Sequence, residues 1–137
     1  MPKYYELILS AADAQVLALM LGERHRHDAL ESAAAAALAD LLVEARLVPH
    51  EELPLDRVAM NSKVTYREEP GGARRSFILV HPIDADPARG RISVLTPIGL
   101  ALLGRTTGSV VTVEFPGAKV RAVRILEVAR NRELLAA

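Results

Sequence analysis

Residues 90–104 read Gly-Arg-Ile-Ser-Val-Leu-Thr-Pro-Ile-Gly-Leu-Ala-Leu-Leu-Gly, a pattern typical of a strand, a capped turn and one short helix. Thr96 is a typical N-cap residue, because its hydroxyl can accept a backbone N–H of the first helical turn. Pro97 at the first helical position loses no hydrogen bond, since that N–H has no partner inside a helix. Gly104 suits the left-handed conformation that closes a helix, and Gly108 marks the next turn. The stretch therefore predicts a helix that begins after Thr96 and ends before Gly104.

Strand patterns lie on both sides of this short helix. Each is a run rich in β-branched residues, and the runs are separated by turns that contain Gly or Pro. In order, they are Val64 to Arg67, Ser76 to Val80, Arg91 to Leu95, Val110 to Phe115 and Lys119 to Val128. Five short strands around one helix predict an antiparallel sheet wrapped over that helix.

The first third of the chain has helical periodicity. Ser10 with Asp13 three residues later is typical of a helix start, and Gly22 ends the apolar stripe that follows. A second helix is predicted from about Asp28 to Arg46, where apolar residues recur every three or four positions. Because the connection between the two helices is short, we expect an antiparallel hairpin. The sequence thus predicts an α+β protein with a helical hairpin over residues 1–50 and a sheet domain over residues 51–137.

Composition excludes several classes of site. The 137 residues include no cysteine, which excludes disulfides and thiolate metal sites, and 17 basic residues balance 17 acidic ones. Nothing in the net charge favours nucleic acid as a direct partner. The longest apolar runs fall well short of the roughly 20 residues that span a bilayer, and the first residues do not form a signal-peptide pattern. We therefore expect a cytoplasmic protein that needs no membrane and no cofactor.

Two blocks of sequence resemble a known family. The run from Pro97 to Gly104, with its glycine turn and following strand, is similar to the C-terminal domain of the bacterial Gre transcript-cleavage factors. The run Leu53-Pro-Leu-Asp-Arg-Val-Ala-Met-Asn-Ser-Lys-Val-Thr-Tyr66 resembles the segment that joins the two halves of Rnk, the regulators of nucleoside diphosphate kinase within the same superfamily. The resemblance implies an FKBP-like α+β domain and a role in transcription regulation rather than an enzyme.

The resemblance also implies a partner and a binding loop. In the Gre superfamily the C-terminal domain docks on the rim of the secondary channel of RNA polymerase, against the coiled coil of the β′ subunit. It does so with the loop that leads into the short helix. The matching positions here are Leu95, Thr96 and Pro97, flanked by Ile98, and we call these four residues the capping loop. The same residues are also explained as hydrophobic staple, cap and first-turn proline, so a docking role and a structural role both stay open.

The hairpin differs from the catalytic coiled coil of the Gre factors, whose acidic tip helps to hold a metal ion in the polymerase. The first helix here has about 12 residues, which at 1.5 Å per residue is about 18 Å and too short for the same reach. The tip is mainly basic and imidazole in character; it contains Glu23, Arg24, His25, Arg26, His27 and Asp28. Glu23 and Asp28 could form an acidic pair for Mg²⁺, although helix-end charges are their ordinary role. We therefore predict a regulator that does not stimulate cleavage, or alternatively an interaction module with another partner.

Other candidate sites find little support in the sequence. His25 and His27 are two positions apart, which does not place two imidazoles on one helix face as metal ligands. His50 and His81 each stand beside a proline with no nearby partner that would make a general base. Prolyl isomerases use an aromatic pocket, whereas this chain has no Trp, two Phe and three Tyr. We expect no catalytic site and no metal site.

The run Asn61-Ser62-Lys63 has two possible roles. It could contribute to a partner surface or fix the angle between hairpin and domain. Alternatively, Asn and Ser are common turn residues that bond their own backbone, and Lys63 is a solvent-facing charge before the strand. The turn interpretation is favoured on residue type.

Overall fold

The structure is a computed structural model that describes residues 6–23, 29–115, 117 and 119–130. Its helices and strands are β1 Ile8–Ser10, α1 Ala11–Glu23, α2 Ala29–Glu44, β2 Arg46–Val48, β3 Lys63–Glu69, β4 Arg75–Val80, β5 Arg91–Ser93, α3 Pro97–Leu102, β6 Val110–Phe115 and β7 Lys119–Ala129. The predicted α+β class is confirmed. None of the helices in these ranges has the length and apolar character that crossing a membrane requires.

The main sheet has five strands in the order β5-β4-β3-β7-β6. Strands β3, β4, β6 and β7 pair antiparallel as predicted, with Val64 opposite Phe77 and Val113 opposite Arg121. The expectation that the whole sheet is antiparallel is wrong for β5, which runs parallel to β4. The cause is the connection between these strands. Two 3₁₀ turns at Pro82–Asp84 and Pro87–Arg89 return the chain to the start of β5 instead of reversing it in a hairpin.

A second, two-stranded sheet flanks the N-terminal helices and was not predicted. β1 precedes α1, β2 follows α2, and the two strands pair parallel with Ile8 opposite Arg46. Arg46 is thus the first residue of a strand and not the last of a helix. Three-residue strands are too short to show the alternation that identifies a strand in sequence. In addition, Ser10 ends β1 and caps α1 at the same time, because its Oγ accepts the N–H of Asp13 at 3.0 Å.

One hydrophobic core joins the helices to the sheet. Leu17 from α1 and Leu38 from α2 have no exposed surface, and both belong to the same cluster as the buried residues of the sheet and of α3. The sheet and α3 contribute Val64, Leu79, Leu102, Val113 and Ile125 to this cluster. Burying a side chain of this size stabilises the fold by about 1.5–3 kcal/mol. The N-terminal helices therefore pack onto the same interior as the sheet.

Candidate docking site around the capping loop

Thr96 holds the capping loop in place because its hydroxyl both accepts and donates a hydrogen bond. Its Oγ1 accepts the N–H of Gly99 at 3.1 Å, as the N-cap prediction requires, and donates to the carbonyl of Ser93 at 2.8 Å. The N–H of Thr96 donates to the same carbonyl at 3.1 Å. The Ser93 hydroxyl in turn accepts the N–H of Leu95 at 3.0 Å. The loop is therefore fixed by hydrogen bonds at each of its first residues.

The four residues of the capping loop differ in exposure. Pro97 is exposed, Leu95 and Thr96 are half-buried, and Ile98 is only 8% exposed because its side chain lies in the core. Leu95 also packs against the edge of the core, where a staple residue is expected. A partner can therefore touch Leu95, Thr96 and Pro97, while Ile98 anchors the loop from below.

The first turn of α3 lies unusually close to the strand before it. A Cβ added to Gly99 would approach the carbonyl oxygen of Ser93 to 2.6 Å and the Cα of Val94 to 3.0 Å. Only a glycine fits at this position, so the sequence Thr-Pro-Ile-Gly encodes the close packing as well as the cap. At the end of α3, Gly104 has φ +81°, which confirms the left-handed position predicted there.

The capping loop emerges from the sheet beside the 3₁₀ turn that follows β4. Because β4 and β5 are parallel, with Val80 opposite Ser93, their carboxyl ends leave the sheet at the same end. Lys63 at the start of β3 pairs with Ile78 near the end of β4 and with Ala129 at the end of β7. We call this the docking end of the sheet. It brings together the capping loop, residues Pro82–Asp84 and the turn that precedes β3.

The turn before β3 connects the docking end to α1. Asn61 has φ +66°, and its N–H donates to the carbonyl of Leu79 at 2.6 Å. The Ser62 hydroxyl is buried and bonds both backbone groups of Ala59, which confirms its predicted role as a turn residue. The N–H of Met60 donates to the Asp13 carboxylate at 3.1 Å. The turn thus holds α1 against the sheet.

Sequence reasoning placed Asp13 only at the start of the first helix and missed its contact with the turn before β3. Burial raises the pKa of its carboxyl, and the Met60 N–H and the nearby His50 and His81 oppose that rise only in part. His50 and His81 are isolated along the sequence, so their common approach to Asp13 depends on the tertiary fold. Within the described ranges, no group of three or more His, Asp or Glu side chains could hold a metal ion.

The hairpin tip is largely outside the described residues. Glu23 ends α1, and the predicted tip residues Arg24 to Asp28 lie in the segment that is not described. α1 itself has 13 residues. At 1.5 Å per residue its length is about 20 Å, close to the value expected from sequence.

Several arginines on the sheet are matched by carboxylates. Glu69 accepts hydrogen bonds from Arg124 at 2.7 Å and Arg67 at 3.1 Å, and these bonds lower the pKa of its carboxyl. Arg121 lies 3.9 Å from Glu68 across β3 and β7. These pairs offset positive charge where a basic patch would otherwise form. The three arginines and two glutamates of this cluster leave an excess of only one positive charge, which is a weak basis for phosphate binding.

Comparison with known proteins decides the family. Residues 53–130 match the family described as "Transcription elongation factor, GreA/GreB, C-term". This chain belongs to the GreA/GreB family. The matched range includes β3 to β7, α3 and the whole capping loop, so the segment that defines this family is the segment that builds the docking end.

Two curated relatives give the extent of the similarity. The transcription elongation factor GreA of Thermoanaerobacter pseudethanolicus is 34% identical over 93 residues, which are 68% of this chain and 59% of that protein. The regulator of nucleoside diphosphate kinase of Escherichia coli K12 is 36% identical over 87 residues, which are 64% of each protein. The chain thus spans less than two thirds of the length of these relatives.

A solved structure agrees with the fold. The prokaryotic transcription elongation factor GreA/GreB from Nitrosomonas europaea is 34% identical, with a TM-score of 0.73. The alignment covers 90% of this chain and 98% of the other. Similarity to a GreA/GreB structure therefore extends beyond the C-terminal family segment into the helical part.

Proposed function

We propose that this protein is a non-catalytic transcription regulator that binds RNA polymerase at the rim of the secondary channel. In this proposal, Leu95, Thr96 and Pro97 contact the coiled coil of the β′ subunit. The protein then competes with Gre-type cleavage factors without stimulating transcript cleavage. The observation that carries the proposal is the hydrogen-bonded capping loop, which presents Pro97 to solvent within a GreA/GreB C-terminal segment.

A fixed loop is well suited to binding a protein surface. Thr96 and Ser93 together make five hydrogen bonds within the loop and the first turn of α3. A side chain or loop that is already ordered loses less conformational entropy when it binds, which leaves more of the contact energy for affinity. The apolar Pro97 ring and the half-buried Leu95 can then make contact without rearrangement of the backbone.

The absence of cleavage activity follows, in this proposal, from helix length. We propose that residues 1–50 form a short antiparallel hairpin on an FKBP-like domain of residues 51–137. Leu17 of α1 packs in the same core cluster as Leu38 and Leu41 of α2, and Ala14 of α1 lines one groove with Leu42 near the end of α2. These contacts support an antiparallel arrangement. A helix of about 20 Å leaves its tip far short of the reach of a long coiled coil.

A second candidate function is an interaction module whose partner is not the polymerase. The observation that favours it is the apolar surface of the helices, where Leu19 of α1 is 61% exposed and Val43 of α2 is 86% exposed. Exposed aliphatic side chains on neighbouring helices are common in protein interfaces. In this case, substitution of Leu19 or Val43 would weaken binding and substitution of the capping loop would not.

Competition at the polymerase tests the proposal directly. Bacterial core RNA polymerase is mixed with a labelled Gre factor and increasing amounts of this protein, and transcript cleavage is measured in the same reaction. We expect displacement of the Gre factor and a loss of cleavage. Cleavage stimulated by this protein alone would contradict the non-catalytic role, and a lack of any binding would leave the interaction module.

A matched pair of variants separates docking from folding. Pro97→Glu removes the apolar ring and adds a charge, yet glutamate is favourable in the first helical turn, so the helix start is retained. Val120→Glu makes a similar change at an exposed position at the opposite end of the sheet, where β7 begins. We expect Pro97→Glu to weaken polymerase binding at least tenfold and Val120→Glu to leave it unchanged. Equal affinity of the two variants would exclude docking through Pro97.

A further inference from the structure

Ile83 is the most exposed large apolar side chain among the described residues, with 91% of its surface accessible. It lies in the 3₁₀ turn Pro82–Asp84, between the end of β4 and the start of β5. A single exposed aliphatic residue is ordinary in itself. The position of Ile83 in the fold makes it informative, because it is at the docking end.

The parallel pairing of β4 and β5 places Ile83 at the same end of the sheet as the capping loop. Val80 is opposite Ser93, and the N–H of Val94 donates to the carbonyl of Val80 at 2.9 Å. The 3₁₀ turn begins two residues after Val80 and the capping loop begins two residues after Ser93, so both follow directly on this last pair of the ladder. The 3₁₀ turn also contacts β5 directly. Ile83 and Pro97 therefore extend from the same end of two neighbouring strands.

The turn that carries Ile83 is fixed by its own backbone. The N–H of Asp84 donates to the carbonyl of His81 at 2.9 Å, and the N–H of Ala85 donates to that of Pro82 at 3.2 Å. Further along the connection, Asp86 and Arg91 exchange two backbone hydrogen bonds of 2.9 and 3.0 Å. The backbone that carries Ile83 is therefore held by hydrogen bonds, as is that of the capping loop.

The charges around Ile83 indicate what its partner offers. Asp86 is paired with Arg89 at 3.5 Å, so these two charges offset each other. Asp84, which directly follows Ile83, is exposed and makes no ion pair with any residue of the described ranges. The surface beside the capping loop thus combines one apolar side chain with one carboxylate. A complementary partner has an apolar depression next to a basic side chain.

We propose that Ile83 and Asp84 form a second contact of the polymerase-docking surface, next to Leu95 to Pro97. Ile83 inserts its side chain between residues of the β′ coiled coil, and Asp84 pairs with a basic residue of that coiled coil. This inference rests on the proposed function, since it names further residues of the same interface. It adds two residues that lie outside the capping loop, which is the part of the surface that the family resemblance identifies.

The test measures the affinity of core RNA polymerase for four forms of the full chain. They are the unmodified protein, Ile83→Ser, Asp84→Lys and the control Val120→Ser, which truncates a half-exposed apolar residue at the opposite end of the sheet. Circular dichroism and urea unfolding verify that each variant folds. We expect at least a tenfold loss of affinity for Ile83→Ser, equivalent to about 1.4 kcal/mol. Asp84→Lys should cause a larger loss of affinity at low salt than at high salt, because salt screens the ion pair. Val120→Ser should bind like the unmodified protein.

The outcomes distinguish this inference from the proposed function. If the unmodified protein does not bind the polymerase, the proposed function fails and this inference fails with it. Pro97→Glu, the docking variant described above, is measured alongside these forms. If the unmodified protein binds and Pro97→Glu weakens binding while Ile83→Ser and Asp84→Lys do not, docking stands and the second contact is refuted. A loss of affinity in Ile83→Ser that is matched by Val120→Ser would also refute it, because the effect would not depend on position.

Discussion

Thr96→Ala removes the cap of α3 and gives the sharpest prediction for stability. The substitution deletes the bond from the Gly99 N–H to the Thr96 Oγ1 at 3.1 Å and the bond from that hydroxyl to the Ser93 carbonyl at 2.8 Å. Loss of a Thr cap costs about 0.5–2 kcal/mol. Loss of the second bond adds only roughly 0.5–1 kcal/mol, because the Ser93 carbonyl keeps one partner, the Thr96 N–H. We therefore expect the free energy of unfolding to fall by about 1–3 kcal/mol.

Urea unfolding followed by circular dichroism measures this loss. The midpoint should fall while the dependence of the free energy on urea stays unchanged, because the surface exposed on unfolding is the same. Thr96→Ser is the matched control; it retains a hydroxyl that can make both bonds and should stay within about 0.5 kcal/mol of the unmodified protein. If Thr96→Ala unfolds like the unmodified protein, or if Thr96→Ser loses as much as Thr96→Ala, the capping argument is refuted.

Two further predictions concern Gly99 and Asp13. Gly99→Ala should destabilise the protein by about 1–3 kcal/mol in the same urea assay, since the new Cβ would meet the Ser93 carbonyl at 2.6 Å; an unchanged midpoint would show that the strand can shift. Burial raises the pKa of Asp13, so at pH values between the ordinary and the raised pKa the native state holds a proton that the unfolded state has released. The free energy of unfolding should therefore decrease as pH rises from about 4 through the raised pKa, and Asp13→Asn should remove this decrease. Parallel pH profiles for the two proteins would contradict the argument.

The parts of the fold that could be predicted are those determined by interactions within a few residues of the sequence. Thr96, Pro97 and the glycines after α3 specify the helix by hydrogen bonding and backbone conformation within a few residues. β6 has the predicted bounds Val110 to Phe115, because its apolar alternation and flanking turns are both local signals. The same local signals identify the capping loop as a helix start, whereas its candidate docking role came from the family resemblance.

The remaining features depend on contacts between distant segments. β1 and β2 are three residues each and exist because they pair with each other, which no short window of sequence reveals. The parallel direction of β5 depends on two 3₁₀ turns that return the chain to the start of this strand. A proline-rich loop could equally have formed such turns without returning the chain, so its sequence does not decide the strand direction. The exposure of Ile83 likewise follows from that connection. An apolar residue in a loop does not by itself predict an exposed position at one end of the sheet.

The two halves of the protein share the last residues of β4. The Leu79 carbonyl accepts the N–H of Asn61, and the Leu79 N–H donates to the Ser62 carbonyl, so β4 holds the turn that binds α1 through Met60 and Asp13. The next carbonyl, that of Val80, accepts the N–H of Val94, which directly precedes the capping loop. Because adjacent peptide groups of one strand fix both the loop and the turn, the direction of α1 relative to the capping loop is set by these backbone bonds together with the bond from the Met60 N–H to the Asp13 carboxylate. In the proposed complex, docking through the loop would therefore also determine where the helices point.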